Sequence, residues 1–282
     1  MCAESRLGGS AVGLTQTALA ETRLAFDGVA ETYGAANDAN PVIRMMRART
    51  MDAVRRHAPP GARILDLGCG PGPDAVTLAG QGYHVTAVDW SARMAGKAAA
   101  AVRAQGLDDR ARVHALGLHE LDQLPEGHWQ LAYSNLGPLN CVPDLEDTAR
   151  GVARRLEPGG VCVVSVIGRT CPWEWVLYGL RGDWARVRVR FARGFVPVPL
   201  EGRTVWTQYL TPTECAEAFR LAGFEMVGLR ALGLAVPPPY LDGFCRRHPR
   251  VLRALIAFDD VVGAWPVARH LGDHFLMELR RA

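Results

Sequence analysis

The chain has 282 residues, 49% hydrophobic and 22% charged, a length for one large or two small domains and a composition that excludes disordered and collagen-like chains. Thirty-two Lys and Arg against 29 Asp and Glu leave a formal charge of +3, so nucleic-acid binding through a general basic field is not expected. No apolar run reaches membrane-spanning length and residues 1–20 lack a signal-peptide core. A cytoplasmic protein without membrane attachment is expected. The seven cysteines are odd in number and never form CxxC, which fits a reduced compartment and offers no zinc set.

Residues 1–16 are small and polar, and a poorly ordered tail is expected there. From Thr17 a helical period brings Leu19, Leu24, Phe26, Val29, Ala30 and Tyr33 near one face, and Pro41 opens a second helix over 42–54. The period then changes. A strand over 63–67 runs into Gly68-Cys69-Gly70-Pro71-Gly72 and a helix over 74–79. Strands over 83–89, 112–116, 129–134 and 161–167 follow, with helices over 91–105 and 144–156 and a Pro158-Gly159-Gly160 turn. This alternation predicts an α/β fold with a parallel sheet covered on both faces. It breaks between 168 and 210, an insertion holding Trp173, Trp175, Trp184 and Trp206 with Arg181, Arg186, Arg188, Arg190 and Arg193. A helix over 213–222, a strand over 224–232, a helix over 250–262 and a closing strand over 274–279 complete the chain.

A glycine loop between strand and helix lets a ligand approach the backbone and meet unpaired N–H groups. The loop reads GxGxG, with Pro73 where a dinucleotide fingerprint needs its third glycine. Asp89 closes the next strand and could accept both hydroxyls of a ribose, with the Trp90 indole available to an adenine. Asp66, just before the glycines, suits an ammonium and would repel a pyrophosphate.

The run Ile64-Leu65-Asp66-Leu67-Gly68-Cys69-Gly70-Pro71-Gly72 resembles the first motif of class I S-adenosylmethionine-dependent methyltransferases. Val85-Thr86-Ala87-Val88-Asp89-Trp90-Ser91 with Met94 resembles the second, and Leu156-Glu157-Pro158-Gly159-Gly160-Val161 the turn into the fifth strand. The likeness covers roughly 26–168. It implies a Rossmann-like sheet of seven strands, six parallel and the last antiparallel, with N-terminal helices capping the cofactor. The organisation it suggests is a core over 17–168, a substrate lid over 169–209 and completion of the sheet over 210–282. The cofactor it implies is S-adenosylmethionine, leaving as S-adenosylhomocysteine, with no metal.

By the same resemblance Tyr33, Arg47, Asp66, Gly68, Gly70, Gly72, Asp74, Asp89, Trp90, Met94, Ser134 and Asn135 are the expected cofactor contacts. The acidic residue that members often carry after the third strand is absent, and backbone groups of Gly117 and Leu118 are expected to hold the adenine instead. Methyl transfer from a sulfonium is an in-line displacement that depends mainly on alignment and exclusion of water. Asn135 and Asn140 border the expected methyl position, where they either act on the acceptor or hold the loop. His119 and Glu174 are candidate bases, Glu174 alternatively a rim ion pair with a nearby arginine. The insertion's aromatics suit a flat small-molecule acceptor and its arginines could bind an anion on it, but a solvated face is expected for most of those arginines. An RNA or protein methyltransferase and a non-catalytic cofactor-binding protein are the alternatives, and a homodimer is left open.

Overall fold

A computed structural model describes residues 14–125 and 127–282, so most of the expected N-terminal tail lies outside the described residues. Thr15 instead caps a helix, its hydroxyl accepting from the Ala18 amide, and α1 (Gln16–Val29) follows. After α2 (Tyr33–Ala39), Asn40 accepts from the Val42 and Ile43 amides and Pro41 occupies the first turn of α3 (Pro41–His57). These three helices lead into β1 (Arg63–Leu67), α4 (Pro73–Gly80), β2 (His84–Asp89), α5 (Ala92–Ala104), β3 (Ala111–Ala115) and β4 (Trp129–Ser134). Next come α6 (Leu145–Arg155) and β5 (Leu156–Ile167), whose apolar run Val161 to Val166 is buried on both faces. The expected turn at 158–160 lies within β5 as an irregularity of its pairing with β4.

The insertion is more regular than its composition suggests. It holds α7 (Pro172–Leu180), α8 (Trp184–Val189) and a hairpin of β6 (Phe195–Leu200) and β7 (Arg203–Gln208). Then α9 (Pro212–Leu221), opened by a Thr211–Glu214 capping box, precedes β8 (Phe224–Leu232). Helices α10 (Asp242–Arg247) and α11 (Pro249–Val262) lead to β9 (His274–Arg281).

Seven strands form one sheet in the order β3-β2-β1-β4-β5-β9-β8, with β9 antiparallel to both neighbours and the other six running one way. Two apolar layers sandwich it. One packs Val42, Met46 and Val54 of α3 and Leu78 of α4 on Ile64, Leu131 and Val163; the other packs Val152 of α6 and Phe219 of α9 on Leu65, Val164 and Met277. The order reverses between β1 and β4, and the loops leaving the carboxyl ends of β1, β2 and β4 meet there, where ligands of open α/β sheets bind. No helix among the described residues is long and apolar enough to cross a membrane.

Candidate active site

Three glycines after β1 have left-handed backbones for different reasons. A Cβ on Gly68 would lie 2.5 Å from the Pro138 ring, and one on Gly72 would lie 2.7 Å from the Ala98 methyl of α5. A Cβ on Gly70 would meet nothing within 4 Å. Gly68 and Gly72 therefore permit packing, whereas Gly70 faces the open cleft. Gly72 lies outside the cavity wall, so its part in the expected cofactor set reduces to bringing α4 against α5.

The cavity holds about 1020 Å³ of empty space with its mouth included, the scale of a small-molecule site. Asp66, Asp74 and Asp89 line it, with Arg47 the one Lys or Arg among the lining residues. Asp89 Oδ2 accepts from the Gly70 amide at 2.8 Å and its Oδ1 from the Ser91 amide at 2.9 Å, so the carboxylate braces both loops. Each oxygen retains a lone pair for a ligand hydroxyl. Burial pushes the Asp89 carboxyl up to about 6 despite these two bonds. Asp66 is 2% exposed, its Oδ2 has no partner, and burial pushes its carboxyl well above the usual range. Asp74 accepts from Asn135 Nδ2 at 3.0 Å and lies 3.4 Å from Arg47 Nε as an ion pair, while Arg47 Nε and Asn135 Oδ1 are buried without a hydrogen-bond partner. Burial also raises the Tyr33 phenol, which lines the same end beside Asn37.

At the other end Trp90 meets His119 edge to face, 5.0 Å between ring centres, with Leu118 beside them. Met94 belongs to the wall, and Ser91 caps its helix by accepting from the Met94 amide while donating to Asp27 at 2.6 Å. Of the expected site residues, Tyr33, Arg47, Asp66, Gly68, Gly70, Asp74, Asp89, Trp90, Met94, Leu118, His119 and Asn135 come together here.

Four other expectations meet a different arrangement. Gly117 is absent from the wall, and its amide is taken by Glu120 Oε2 at 2.9 Å, which leaves Leu118 alone of that pair at the cavity. Ser134 is fully buried and donates to the Leu67 carbonyl at 2.9 Å, tying β4 to β1 below the cleft. Asn140 is spent on the backbone: Nδ2 donates to the Ile167 and Gln208 carbonyls and Oδ1 accepts from the Ile167 amide at 2.8 Å. No group of its side chain is left for an acceptor.

Glu174 is neither a rim residue nor part of the cavity wall. Arg190 grips it bidentately at 2.7 Å, and the same guanidinium reaches Asp273 Oδ1 at 2.6 Å and the Gly168 carbonyl. Arg190 is itself 5% exposed, so the solvated face expected for the arginine run fails at this position. The alternation of Arg186, Arg188 and Arg190 has a strand-like period, but the segment is helical and turns Arg190 inward.

The insertion as a whole lines none of the cavity. Trp206 donates to Glu21, Trp173 to the Ala235 carbonyl, and Trp175 stacks on Phe191. Its hairpin backs α1 rather than closing over a ligand, the Trp206 amide donating to Thr22 Oγ1 at 3.0 Å. Motif reading missed Thr22, Asn37, Pro138, Cys141 and Val142, all in the wall. Their one shared signal is position: they sit in the first helices or just after β4.

A family model described as a methyltransferase domain matches residues 42–229. The ubiquinone biosynthesis O-methyltransferase of Marinobacter nauticus is 31% identical over 170 residues, 59% of this chain and 65% of that protein. The protein of the same name from Bordetella pertussis is 28% identical over 174 residues, 61% of this chain and 66% of that one. The chain thus spans just under two thirds of the length of these relatives. Among solved structures, the CcbJ methyltransferase of Streptomyces caelestis superposes with a TM-score of 0.61 at 19% identity, covering 93% of this chain and 99% of that one. The 1,6-didemethyltoxoflavin-N1-methyltransferase of Burkholderia thailandensis does so with 0.59 at 19% identity, covering 98% and 92%. At such identities these two bear on the fold alone.

Proposed function

The chain belongs to the methyltransferase domain family, within the class I S-adenosylmethionine-dependent methyltransferases, and from that premise we propose that it transfers a methyl group to a small-molecule acceptor. The observation that carries this reading is the buried, unpartnered Asp66 oxygen in a cavity where three carboxylates face one arginine. Such a wall fits a ligand bearing an ammonium and a sulfonium and opposes phosphates. The open backbone at Gly70 fits the same ligand. When bound, that cofactor supplies a methyl group on a positively charged sulfur.

Asp89 would hold the ribose hydroxyls, and Trp90, Leu118 and His119 would enclose the adenine. Asp66, Tyr33, Asn135 and the Arg47–Asp74 pair would hold the amino-acid end, the free Asn135 Oδ1 accepting from its ammonium. Helices α1 to α3 contribute Thr22, Phe26, Tyr33, Asn37 and Arg47 to the wall, and water displaced by a bound ligand would strengthen these interactions. The relatives named for ubiquinone biosynthesis act on a small molecule, and that supports a small-molecule acceptor here.

Two measurements test the reading. Calorimetry should detect S-adenosylmethionine and no nicotinamide dinucleotide, and methyl-labelled cofactor with a fractionated extract should label a metabolite rather than RNA or protein. A dinucleotide bound in place of the sulfonium compound would overturn the site, and cofactor binding without label transfer to any fraction would leave a non-catalytic binder.

A further inference from the structure

The cavity has a part that the cofactor residues do not claim. Its wall is Thr22 and Phe26 from α1 together with Pro138, Cys141 and Val142 from the loop after β4. None of the five carries a charge. Two of them carry polar groups, and the insertion's hairpin meets both from behind. The Thr22 hydroxyl donates to the Ala18 carbonyl at 3.0 Å and accepts from the Trp206 amide at 3.0 Å. The Cys141 thiol lies 4.0 Å from Thr207 Oγ1, and burial pushes it up to about 11, so it stays protonated. With these atoms turned toward β7, the surface left to a ligand is methyl, ring and methylene.

The charged groups of the cavity lie elsewhere. Arg47 is paired with Asp38 at 2.8 Å and lies 3.4 Å from Asp74, the three acidic residues belong to the cofactor end, and His119 is packed on Trp90. Phe26 and Tyr33 meet edge to face, 6.1 Å between centres, which gives the wall an aromatic corner. Among the described residues, an anionic acceptor would find no cation in this part of the wall and would face three carboxylates, and a charged amine would lose its hydration against apolar groups without gaining a partner.

Resting on the methyltransferase reading above, we propose that Thr22, Phe26, Cys141 and Val142 form the acceptor subsite and that it selects an uncharged, apolar, preferably aromatic acceptor. The insertion then sets specificity from behind: β7 neutralises the polar atoms of the wall without touching the acceptor.

The test uses three ring probes of similar size: 4-methylphenol, 4-hydroxybenzoate and tyramine. Each is titrated by calorimetry and saturation-transfer NMR against the full chain, with and without S-adenosylhomocysteine, whose own Kd is measured first. The neutral probe should bind at least ten-fold more tightly than either charged one. Phe26→Ala should weaken it at least five-fold with the S-adenosylhomocysteine Kd unchanged, and Val142→Lys should shift preference toward 4-hydroxybenzoate. If Val142→Lys does not fold, Phe26→Ala and the probe ranking decide alone. Equal binding of charged and neutral probes, or a Phe26→Ala chain that binds 4-methylphenol as before, would overturn the proposal. Absence of S-adenosylhomocysteine binding in the unaltered chain would count against the methyltransferase reading instead, and the ranking without it would still judge the subsite.

Discussion

Two groups of buried carboxylates lie in this molecule and differ in one respect. Around Arg190, Glu174 and Asp273 find their partners within the chain: the guanidinium donates five hydrogen bonds, Tyr240 donates to Glu174, and the His274 ring pairs with Asp273. Burial alone would raise the Asp273 carboxyl, but Arg190 and His274 hold it well below the usual carboxylate range. In the cleft, Asp66 keeps an unpartnered oxygen and Asp89 sits up at about 6 with no cation against it. A buried polar group without a partner costs stability, and of these two carboxylate groups only the one in the cleft, where a ligand can complete it, carries such an atom.

The largest effect that separates the two groups is removal of Arg190. Arg190→Met leaves two carboxylates buried without their cation and should cost about 3–5 kcal/mol of stability. Urea unfolding followed by circular dichroism measures it, and the folded fraction should bind S-adenosylhomocysteine as before. A loss below about 1 kcal/mol would mean that the cluster is wetter or more loosely tied than its geometry implies.

Asn140 and Asn135 repeat the comparison at smaller scale. Asn140→Ala strips partners from Ile167 and Gln208 and should cost about 2–3 kcal/mol in the same unfolding experiment. Asn135→Ala removes one bond to Asp74 and should instead appear as weaker cofactor binding with nearly unchanged stability. If the two substitutions had the same signature, scaffold and site could not be told apart by their unmet hydrogen bonds.

That pair also marks how far the sequence could be read. The asparagines are five positions apart and of one type, and what separates them is β7, which brings the Gln208 carbonyl to Asn140. No local pattern carries that information. The glycine-loop end of the cavity was legible because its constraints are local: glycines with left-handed backbones and a carboxylate at the tip of β2 that braces them. The parallel run of the sheet follows from the alternation of strands and helices, whereas its antiparallel strand was read from the family resemblance. Arg190 was illegible for the opposite reason, since Glu174 and Asp273 are 16 and 83 positions away and its own segment has the period of a half-exposed strand. The packing of the insertion was illegible because aromatic content indicates packing without indicating against what, and its hairpin packs on α1.

On the cleft side, Asp89→Ala should weaken cofactor binding by about 1.5–3 kcal/mol through lost charge-assisted hydrogen bonds. Stability should fall by only about 1 kcal/mol, because the Gly70 amide it leaves lies at the cleft while the buried Ser91 amide loses its acceptor. Calorimetry with S-adenosylhomocysteine reads the first effect and thermal melting the second; an unchanged Kd would detach Asp89 from the ligand.

The smallest expected effect is also the most diagnostic, because acid acts on the two groups with opposite sign. Asp89 has its folded pKa raised to about 6, above the roughly 3.9 of an unfolded aspartate, so its ionised form costs stability above pH 6 and that cost fades as pH drops toward 4. Asp273 is depressed, so its contribution to stability is complete above the unfolded value of about 4 and is lost only below it, as pH falls through the folded value. Between pH 7 and pH 5 neither group weakens the fold. Ligand binding through an ionised Asp89 does weaken, by about 1.4 kcal/mol or tenfold for each unit below 6, and Asp66 contributes in the same direction. Calorimetric titrations of S-adenosylhomocysteine at pH 8, 7, 6 and 5, with melts in parallel, should give a flat Kd above 7 and about a tenfold weaker one at 5 while the melting temperature holds or rises. The inflection should shrink in Asp89→Asn, since the amide does not titrate, leaving only the part owed to Asp66. An affinity that fell in step with stability would place the acid sensitivity in the scaffold and not in the cleft.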